Sequence, residues 1–456
     1  MPDLSSRLVI VMVGLPTRGK SFIVKKLARY LNWLQKSTRI FNAGELRRKA
    51  ALASSEDTQS APHSASPSSF FDPRIKENVS KRDEIALNVL NELIEWLKQD
   101  NSCVGILDAT NSTRQRRRLI LQRIRDLSGP DVPVLFLESC CSDPVVLERN
   151  FVLKLSSPDY STQDPQHALN DFKQRVALYE RAYTTISEDE EAENMSYVKI
   201  IDVGRKLNTH MIQGVLSSQV VEYMIGFNLT DRQIWLSCGG QSEDDAAGRI
   251  GRDSNLSASG KKYAEDLAKF VQDQNGAWHR ETAGRPLSKL SIWTSTMPQA
   301  SQTAEAFPDH IFKKTKQKML DDINAGDMAG ATFEEIRENF PEVYRARKQH
   351  KLLYRWPGLG GEAYADVIKR LRPMIVELER FKQHLLVISH RAIIRVLLSY
   401  FLDLQREDLP EMPIPEDTVF LLEPQPYGMI FQAFARDKKD RIFTEIDHAK
   451  KKFIGK

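Results

Sequence analysis

Leu8 to Val13 is an unbroken apolar, β-branched run, the pattern of a strand buried on both faces of a parallel sheet. Helical spacing of apolar positions follows from Ser21 to Leu34, and a short strand is predicted over Arg39 to Phe41. Further along come an amphipathic helix over Lys81 to Leu97 and a strand over Val104 to Leu107. A basic helix over Arg114 to Asp126 is next, then strands over Val134 to Leu137 and Val198 to Asp202. Strands alternating with helices predict a parallel sheet covered on both faces. The pattern restarts between Ile225 and Asp231. Strands are expected at Ile234 to Ser237, ending Ile292 to Ser295, and over Leu385 to Ser389, with helices within Leu256 to Asp273 and Glu362 to Phe381. The chain therefore reads as two α/β domains, 1–231 and 232–435, with a basic tail over 436–456 that has no core pattern. No internal repeat is visible.

Two segments break the pattern. Ala50 to Ser69 is rich in Ala and Ser with two prolines; it cannot build a core and reads as a mobile surface insertion. The acidic run Glu188 to Glu193 reads as a solvated loop.

Composition narrows the classes. Of 456 residues 41% are hydrophobic and 28% charged, which excludes a disordered chain and leaves enough apolar material for sizeable cores. The balance of 65 basic and 61 acidic residues, net +4, argues against a general nucleic-acid binder but allows a local phosphate pocket. Cys103, Cys140, Cys141 and Cys238 form no CxxC pair, so a reduced intracellular protein without structural zinc is expected. No apolar run approaches the roughly 18 residues of a membrane span, and the N-terminus lacks a signal-peptide pattern.

The chemistry is concentrated at Gly14-Leu15-Pro16-Thr17-Arg18-Gly19-Lys20-Ser21, which matches GxxxxGK[ST] between a strand and a helix. Glycines let backbone N–H groups approach phosphates, and the helix N-terminus favours their charge. Lys20 can reach the β- and γ-phosphates of a nucleotide, and the Ser21 hydroxyl can ligate Mg²⁺. A chance glycine turn is the competing reading, and the strand–helix context disfavours it. Val104 to Asp108 is a strand ending in a carboxylate, the geometry that places Asp108 near the metal. Ala109 to Thr113 then puts polar side chains at the carboxyl end of the sheet, where α/β proteins bind ligands, or supplies a helix cap. Arg47, Arg48, Arg82, Arg114, Arg116, Arg117, Lys154 and Arg175 lie near expected strand ends. Arg117, Arg118, Arg123 and Arg125 are read as a solvated helix face. The others suit a second, phosphorylated substrate if they converge.

GLPTRGKS, Asn42 to Arg48, Asp108-Ala109-Thr110-Asn111, Glu138-Ser139-Cys140-Cys141, Ser156 to Tyr160 and Ile201 to Gly204 together resemble the 6-phosphofructo-2-kinase/fructose-2,6-bisphosphatase family, from about Leu8 to Ala435. The resemblance implies an N-terminal P-loop kinase followed by a histidine-phosphatase (phosphoglycerate mutase-like) α/β domain. It implies transfer of the γ-phosphoryl of ATP to the 2-hydroxyl of fructose 6-phosphate, with Mg²⁺. The family's sugar-phosphate residues match Arg47, Arg82, Thr110, Arg116, Lys154, Arg175 and Tyr179. Its catalytic Asp and Cys match Asp108 and Cys141, and its nucleotide contacts extend to Asn150. The Ala50 to Ser69 stretch is longer than the family usually carries, and Asn150 to Lys154 is one residue shorter.

The second half departs further. The family's phosphatase strand is followed by Arg-His-Gly-Glu, whose histidine is the nucleophile; here Ile234 to Ser237 is followed by Cys238-Gly239-Gly240-Gln241. Arg has become Cys238, His has become Gly239 and Glu has become Gln241. The usual asparagine is Asp245, a phosphate-binding arginine is Gln299, and the proton-donor glutamate aligns with Asp322. Arg249, Arg347, Lys351, Tyr364, His390 and Arg395 are retained. Glycine offers no nucleophile, so phosphatase activity is expected to be absent. Cys238 as a replacement nucleophile is disfavoured, because it stands where the arginine belongs. The expected whole is a cytoplasmic, homodimeric 2-kinase with fructose 6-phosphate as substrate and no nucleic-acid or membrane partner. A bifunctional enzyme with weak residual phosphatase, a kinase for another small substrate and a sugar-phosphate-sensing pseudoenzyme are the alternatives.

Overall fold

The computed structural model describes residues 7–48, 68–99, 103–155, 164–251, 254–281, 289–405, 407–425, 428–449 and 453. Nearly all of the Ala50 to Ser69 insertion lies outside them. The chain divides into two compact units, Met1–Asn228 and Leu229–Lys456.

In the first unit the elements are β1 (Leu8–Val13), α1 (Lys20–Trp33), β2 (Thr38–Asn42), α2 (Lys76–Leu97), β3 (Val104–Asp108), α3 (Arg114–Ser128), β4 (Val134–Cys140), α4 (Pro144–Leu155), α5 (Pro165–Ala182), α6 (Glu188–Glu191), β5 (Tyr197–Ile201), β6 (Lys206–His210) and α7 (Val215–Ile225). The sheet order is β2-β3-β1-β4-β5-β6. All six residues of β1 are buried, because β1 lies between β3 and β4 and pairs in parallel with both. Among the described strands of this sheet only β6, at the edge, runs antiparallel. Its sequence, Lys-Leu-Asn-Thr-His, is largely solvent-facing, so it carries no apolar pattern to announce a strand. The strand order reverses at β1, which opens a crevice at the carboxyl ends of β1, β3 and β4. Below it, Leu93, Ile94 and Leu97 of α2 and Ile120 and Ile124 of α3 pack on Val9, Val11, Leu107 and Phe136. Gly105 permits the close approach: a Cβ there would lie 2.6 Å from a methyl of Leu93.

The acidic run corrects the sequence reading. Glu188–Glu191 is a helical turn, and Glu190 is fully buried against Arg117, itself fully buried. Arg117 donates to both Glu190 carboxylate oxygens at 2.8 and 2.6 Å and to the carbonyls of Asn111 and Thr184. Arg114 pairs with Asp189 and Glu193, and Arg118 with Glu193. Arg123 donates to Asn91. Of the four arginines read as solvated, Arg118 and Arg125 are exposed, Arg123 is half-buried and Arg117 is in the core. Glu190→Ala leaves a buried guanidinium without its counter-ion, and we expect a loss of about 3–5 kcal/mol in urea unfolding. Glu190→Leu combined with Arg117→Met should recover part of it: an apolar pair removes both ionic desolvation penalties, but the Asn111 and Thr184 carbonyls lose their Arg117 donor.

The second unit contains β7 (Ile234–Cys238), α8 (Glu243–Ala246), α9 (Ala258–Glu281), β8 (Leu290–Thr294), α10 (Pro298–Glu305), β9 (Lys313–Lys316), α11 (Phe333–Asn339), α12 (Pro341–Gln349), α13 (Tyr364–Arg380), β10 (His384–Ser389), α14 (Arg391–Phe401), β11 (Thr418–Gln425), β12 (Gly428–Arg436) and β13 (Phe443–Glu445). Its sheet order is β13-β12-β11-β7-β10-β8-β9. The β7, β10, β8 and β9 strands are parallel, and β11, β12 and β13 are antiparallel. Trp235, Leu267, Ile292, Phe307, Leu386, Val419 and Phe434 fill the core. The tail is not coreless: β13 buries Phe443, and Phe453 packs edge-on against Phe420 and Phe431. Its apolar residues are too sparse among the lysines to show a period.

Candidate functional site

In the first unit the chain leaves β1 through Gly14 and enters α1 at Lys20. Gly14 has φ 136°, and a Cβ there would lie 2.6 Å from the Ser139 carbonyl oxygen. Only glycine allows the loop this close to the end of β4. Thr17 and Gly19 also have positive φ, 65° and 82°. Such turns direct successive N–H groups inward, as an anion cradle requires. The loop is held from several sides. The Gly14 N–H donates to the Thr110 carbonyl at 2.9 Å, Ser139 Oγ to the Arg18 carbonyl, and Asn150 Nδ2 to the Thr17 carbonyl at 2.7 Å. Arg18 pairs with Glu180 at 3.1 Å. The Pro16 carbonyl accepts from Arg18 Nη1. Lys20 is buried, and its Nζ donates to the Leu15 carbonyl at 2.6 Å, folding across the loop it is expected to serve.

Ser21 and Asp108 meet at the mouth of this loop, Ser21 Oγ donating to Asp108 Oδ2 at 3.2 Å. Asn42 Nδ2 donates to the same oxygen at 2.6 Å. The β2–β3 register sets Asn42 opposite Asp108, which is why the residue closing β2 orients the carboxylate closing β3. A hydroxyl and one carboxylate beside a phosphate loop suit Mg²⁺, which takes few protein ligands and completes its shell from phosphates and water.

A cationic group gathers beside the loop. Phe71 ends a 3₁₀ turn, Ser68–Phe71, and is buried with Leu15 and Tyr179 in one apolar cluster. The Arg175 guanidinium carbon lies 3.9 Å from the Phe71 ring centroid and that of Arg47 lies 5.2 Å away. Arg82 donates to the Phe71 carbonyl at 3.3 Å and lies over the Tyr179 ring at 5.8 Å. Arg116 pairs with Asp83; burial lowers its pKa, and Arg82 adds to that, while Asp83 and Tyr179 oppose it. Arg47, Arg82, Arg116, Arg175 and Tyr179 are therefore brought together, from positions spread over more than a hundred residues of sequence. Thr110 enters through its backbone. Lys154 lies at the end of α4, and its side chain is outside the described residues. Cys141 is buried just past β4, and burial raises its thiol pKa, so it is a neutral group rather than a thiolate. Sequence reasoning misses Phe71 and Asp83 and gives Asn42 no role of its own. The Phe70-Phe71 pair, adjoining the Ala/Ser-rich stretch, is the available signal for the first.

In the second unit, β7 and β10 end side by side, Cys238 opposite Ser389, and the Gly239 N–H donates to the Ser389 carbonyl at 2.8 Å. Gln299, in the first turn of α10, fills the space beside Gly239. Its Nε2 donates to the Gly240 carbonyl at 2.9 Å and to Asp245 at 2.6 Å, and its Oε1 lies 3.1 Å from His390 Nδ1. His390 Nε2 lies 2.8 Å from Ser295 Oγ, so both ring nitrogens are engaged. Burial pushes the Cys238 thiol up to about 12, which keeps it protonated near neutrality. Gln241 accepts from Ser257. Arg249 donates to the Gly330 carbonyl at 2.6 Å. Arg347 lies over the Trp356 ring at 4.2 Å, and Lys351 donates to the Pro410 carbonyl at 2.7 Å. Arg395 donates to the Met412 carbonyl at 2.8 Å and to the Tyr364 hydroxyl. The Asp322 side chain accepts from the Ile323 N–H; its charge is felt at Cys238 and Tyr364.

Two family signatures cover the chain. Residues 2–231 match 6-phosphofructo-2-kinase, and residues 234–437 match the histidine phosphatase superfamily, branch 1. The chain is 42% identical over 454 residues to 6-phosphofructo-2-kinase 1 of Saccharomyces cerevisiae, covering 97% of this chain and 54% of that protein. It therefore spans about half the length of that relative. It is also 40% identical over 425 residues to human 6-phosphofructo-2-kinase/fructose-2,6-bisphosphatase 3, covering 93% of this chain and 76% of that one.

Proposed function

The chain belongs to the 6-phosphofructo-2-kinase family, and from that premise we propose that it phosphorylates fructose 6-phosphate on its 2-hydroxyl with ATP as the donor. In this reading residues 1–231 carry the kinase. Residues 232–435 keep a histidine-phosphatase fold and have no phosphatase activity.

The observation that carries the kinase reading is the convergence of Arg47, Arg82 and Arg175 around Phe71, packed against Leu15 of the phosphate loop. One anion site for a nucleotide thus borders a second, multi-arginine site suited to a sugar phosphate. The loop amides and Lys20 hold the triphosphate. Ser21 and Asp108 would hold Mg²⁺, which when bound would neutralise phosphate charge. Arg47, Arg82, Arg116, Arg175 and Tyr179 grip the 6-phosphate and so hold the sugar hydroxyl in line. The bond from the γ-phosphorus to the sugar oxygen forms as that to the β,γ-bridging oxygen breaks, and the hydroxyl proton is released. Positioning and charge supply the rate enhancement.

The silent phosphatase is supported by Gly239, which has no nucleophile, by Gln299 engaging His390, and by the protonated Cys238. A two-way assay of the purified chain tests both halves. We expect ATP-dependent formation of an acid-labile sugar bisphosphate and no breakdown of fructose 2,6-bisphosphate. Absence of synthesis, with ATP binding intact, would move the protein to the sensing alternative.

Arg175→Ala refines the test. Removing one charge-assisted hydrogen bond costs about 1.5–3 kcal/mol, which raises KM for fructose 6-phosphate tenfold to over a hundredfold, with little change for ATP. Equal rises in the two KM values would make Arg175 a packing residue.

A further inference from the structure

We propose that Phe71 is a positioning residue for the sugar-phosphate site, its ring and carbonyl together setting Arg175, Arg47 and Arg82 beside the phosphate loop. The proposal rests on the assignment of fructose 6-phosphate to that pocket.

Phe71 is 2% exposed, and four separate parts of the chain meet on it. From α5 come Arg175, 3.9 Å from the ring centroid, and Tyr179, its ring centroid 5.4 Å away. These two residues are one helical turn apart, so they present to one face of α5. From the helical residues 43–48 comes Arg47, at 5.2 Å. From α2 comes Arg82, which donates to the Phe71 carbonyl. Leu15 brings the phosphate loop into the same cluster, flanked by Phe70 and Tyr183.

An aliphatic side chain could fill this volume. What it could not do is hold cations. Several guanidiniums brought together repel, and before a phosphate binds something must offset that repulsion. The negative face of an aromatic ring does so without accepting the in-plane N–H groups. N–H groups in the guanidinium plane are the fork that grips phosphate oxygens. A carboxylate in the same place would hold the arginines too, but it would compete with the phosphate for the same donors. The ring thus arranges the cations without adding an acceptor that would compete with a phosphate for their N–H groups. Because Leu15 packs on the same ring, the spacing between sugar site and nucleotide loop is set there as well.

The test is steady-state kinetics with both substrates on the full chain and on Phe71→Leu and Phe71→Tyr, with calorimetric binding of fructose 6-phosphate to each. We expect Phe71→Leu to raise KM and Kd for fructose 6-phosphate about tenfold, the scale of two cation–π contacts at the lower end of their range. KM for ATP should stay within about twofold, and Phe71→Tyr, which keeps the ring, should stay within about threefold of wild type throughout. An unchanged KM for fructose 6-phosphate in Phe71→Leu, or equal rises for both substrates, would overturn the proposal; the latter assigns Phe71 to packing under the phosphate loop. Thermal unfolding is measured alongside, with Phe71→Met as a second aliphatic variant. If both aliphatic variants fail to fold while Phe71→Tyr folds, the ring is a core residue and the proposal falls. A wild-type chain that makes no sugar bisphosphate would instead defeat the functional reading.

Discussion

Lys20→Met should lower the rate of sugar-bisphosphate formation at least about a hundredfold while leaving the fold intact. Methionine is close to lysine in length and is a good helix former, so α1 should start as before. What disappears is the point charge. Lys20 Nζ now closes on the Leu15 carbonyl at 2.6 Å, a contact that marks its reach across the loop toward the space where the phosphates belong. Loss of a single preorganised group that meets developing charge typically costs about 10²–10³ in turnover. The loop amides remain, so ATP binding should weaken less than turnover. The expected signature is a collapse in kcat with a thermal midpoint near wild type, measured by ADP release coupled to product detection. Near-normal turnover would remove Lys20 from the mechanism and, with it, the nucleotide assignment of the loop.

The ease of reading the loop and the difficulty of reading the pocket have different physical origins. β1, the loop and α1 are contiguous, and β1 is the central strand, so its six residues are all apolar. Asp108 is equally legible as the last residue of a buried strand. The arginine pocket is not contiguous: Arg47, Phe71, Arg82, Arg116 and Arg175 are joined only by tertiary packing. An arginine that grips substrate and one that lies in solvent look alike in sequence. Arg117 shows what signal was present. It stands three and seven residues before Ile120 and Ile124, both fully buried, so it lies on the apolar stripe of α3 and not on a solvated face. Its partner Glu190 was concealed by acidic neighbours that do face solvent. Edge strands such as β6 and β13 escape because half or more of their residues are exposed, and no alternation survives. The replacements at Cys238, Gly239, Gln241 and Gln299 were legible as departures from a resemblance. That Gln299 would fill the space beside Gly239 and engage His390 was not, because it depends on the first turn of α10 meeting the end of β7.

That contact determines the second large effect. The wild-type chain should neither hydrolyse fructose 2,6-bisphosphate nor form a phosphohistidine, and Gly239→His should not change this. A Cβ added at Gly239 would lie 2.9 Å from Gln299 Cγ and 3.2 Å from the Gln299 backbone carbonyl. The side chain could yield, but the backbone of α10 would have to shift. The new imidazole would then face a site that lacks two of the cations the resemblance places on the phosphoryl group, since those arginine positions hold Cys238 and Gln299. His390 would still be held by Gln299 and Ser295. Nucleophile, cations and acid act as a unit, so restoring one member returns little. Losing a nucleophile costs about four to six orders of magnitude, and Gly239→His should remain within roughly tenfold of the wild-type background. Cys238→Arg, Gly239→His, Gln241→Glu and Gln299→Arg combined should give measurable hydrolysis. In that variant the guanidinium introduced by Gln299→Arg would meet Asp245, which already accepts from Gln299 at 2.6 Å, and Arg249, His390 and Arg395 are in place. Phosphate release from radiolabelled substrate, with acid-labile labelling of the protein, reads both outcomes. Robust hydrolysis by the wild type, abolished by His390→Ala, would show that the pocket holds a different nucleophile and is not silent.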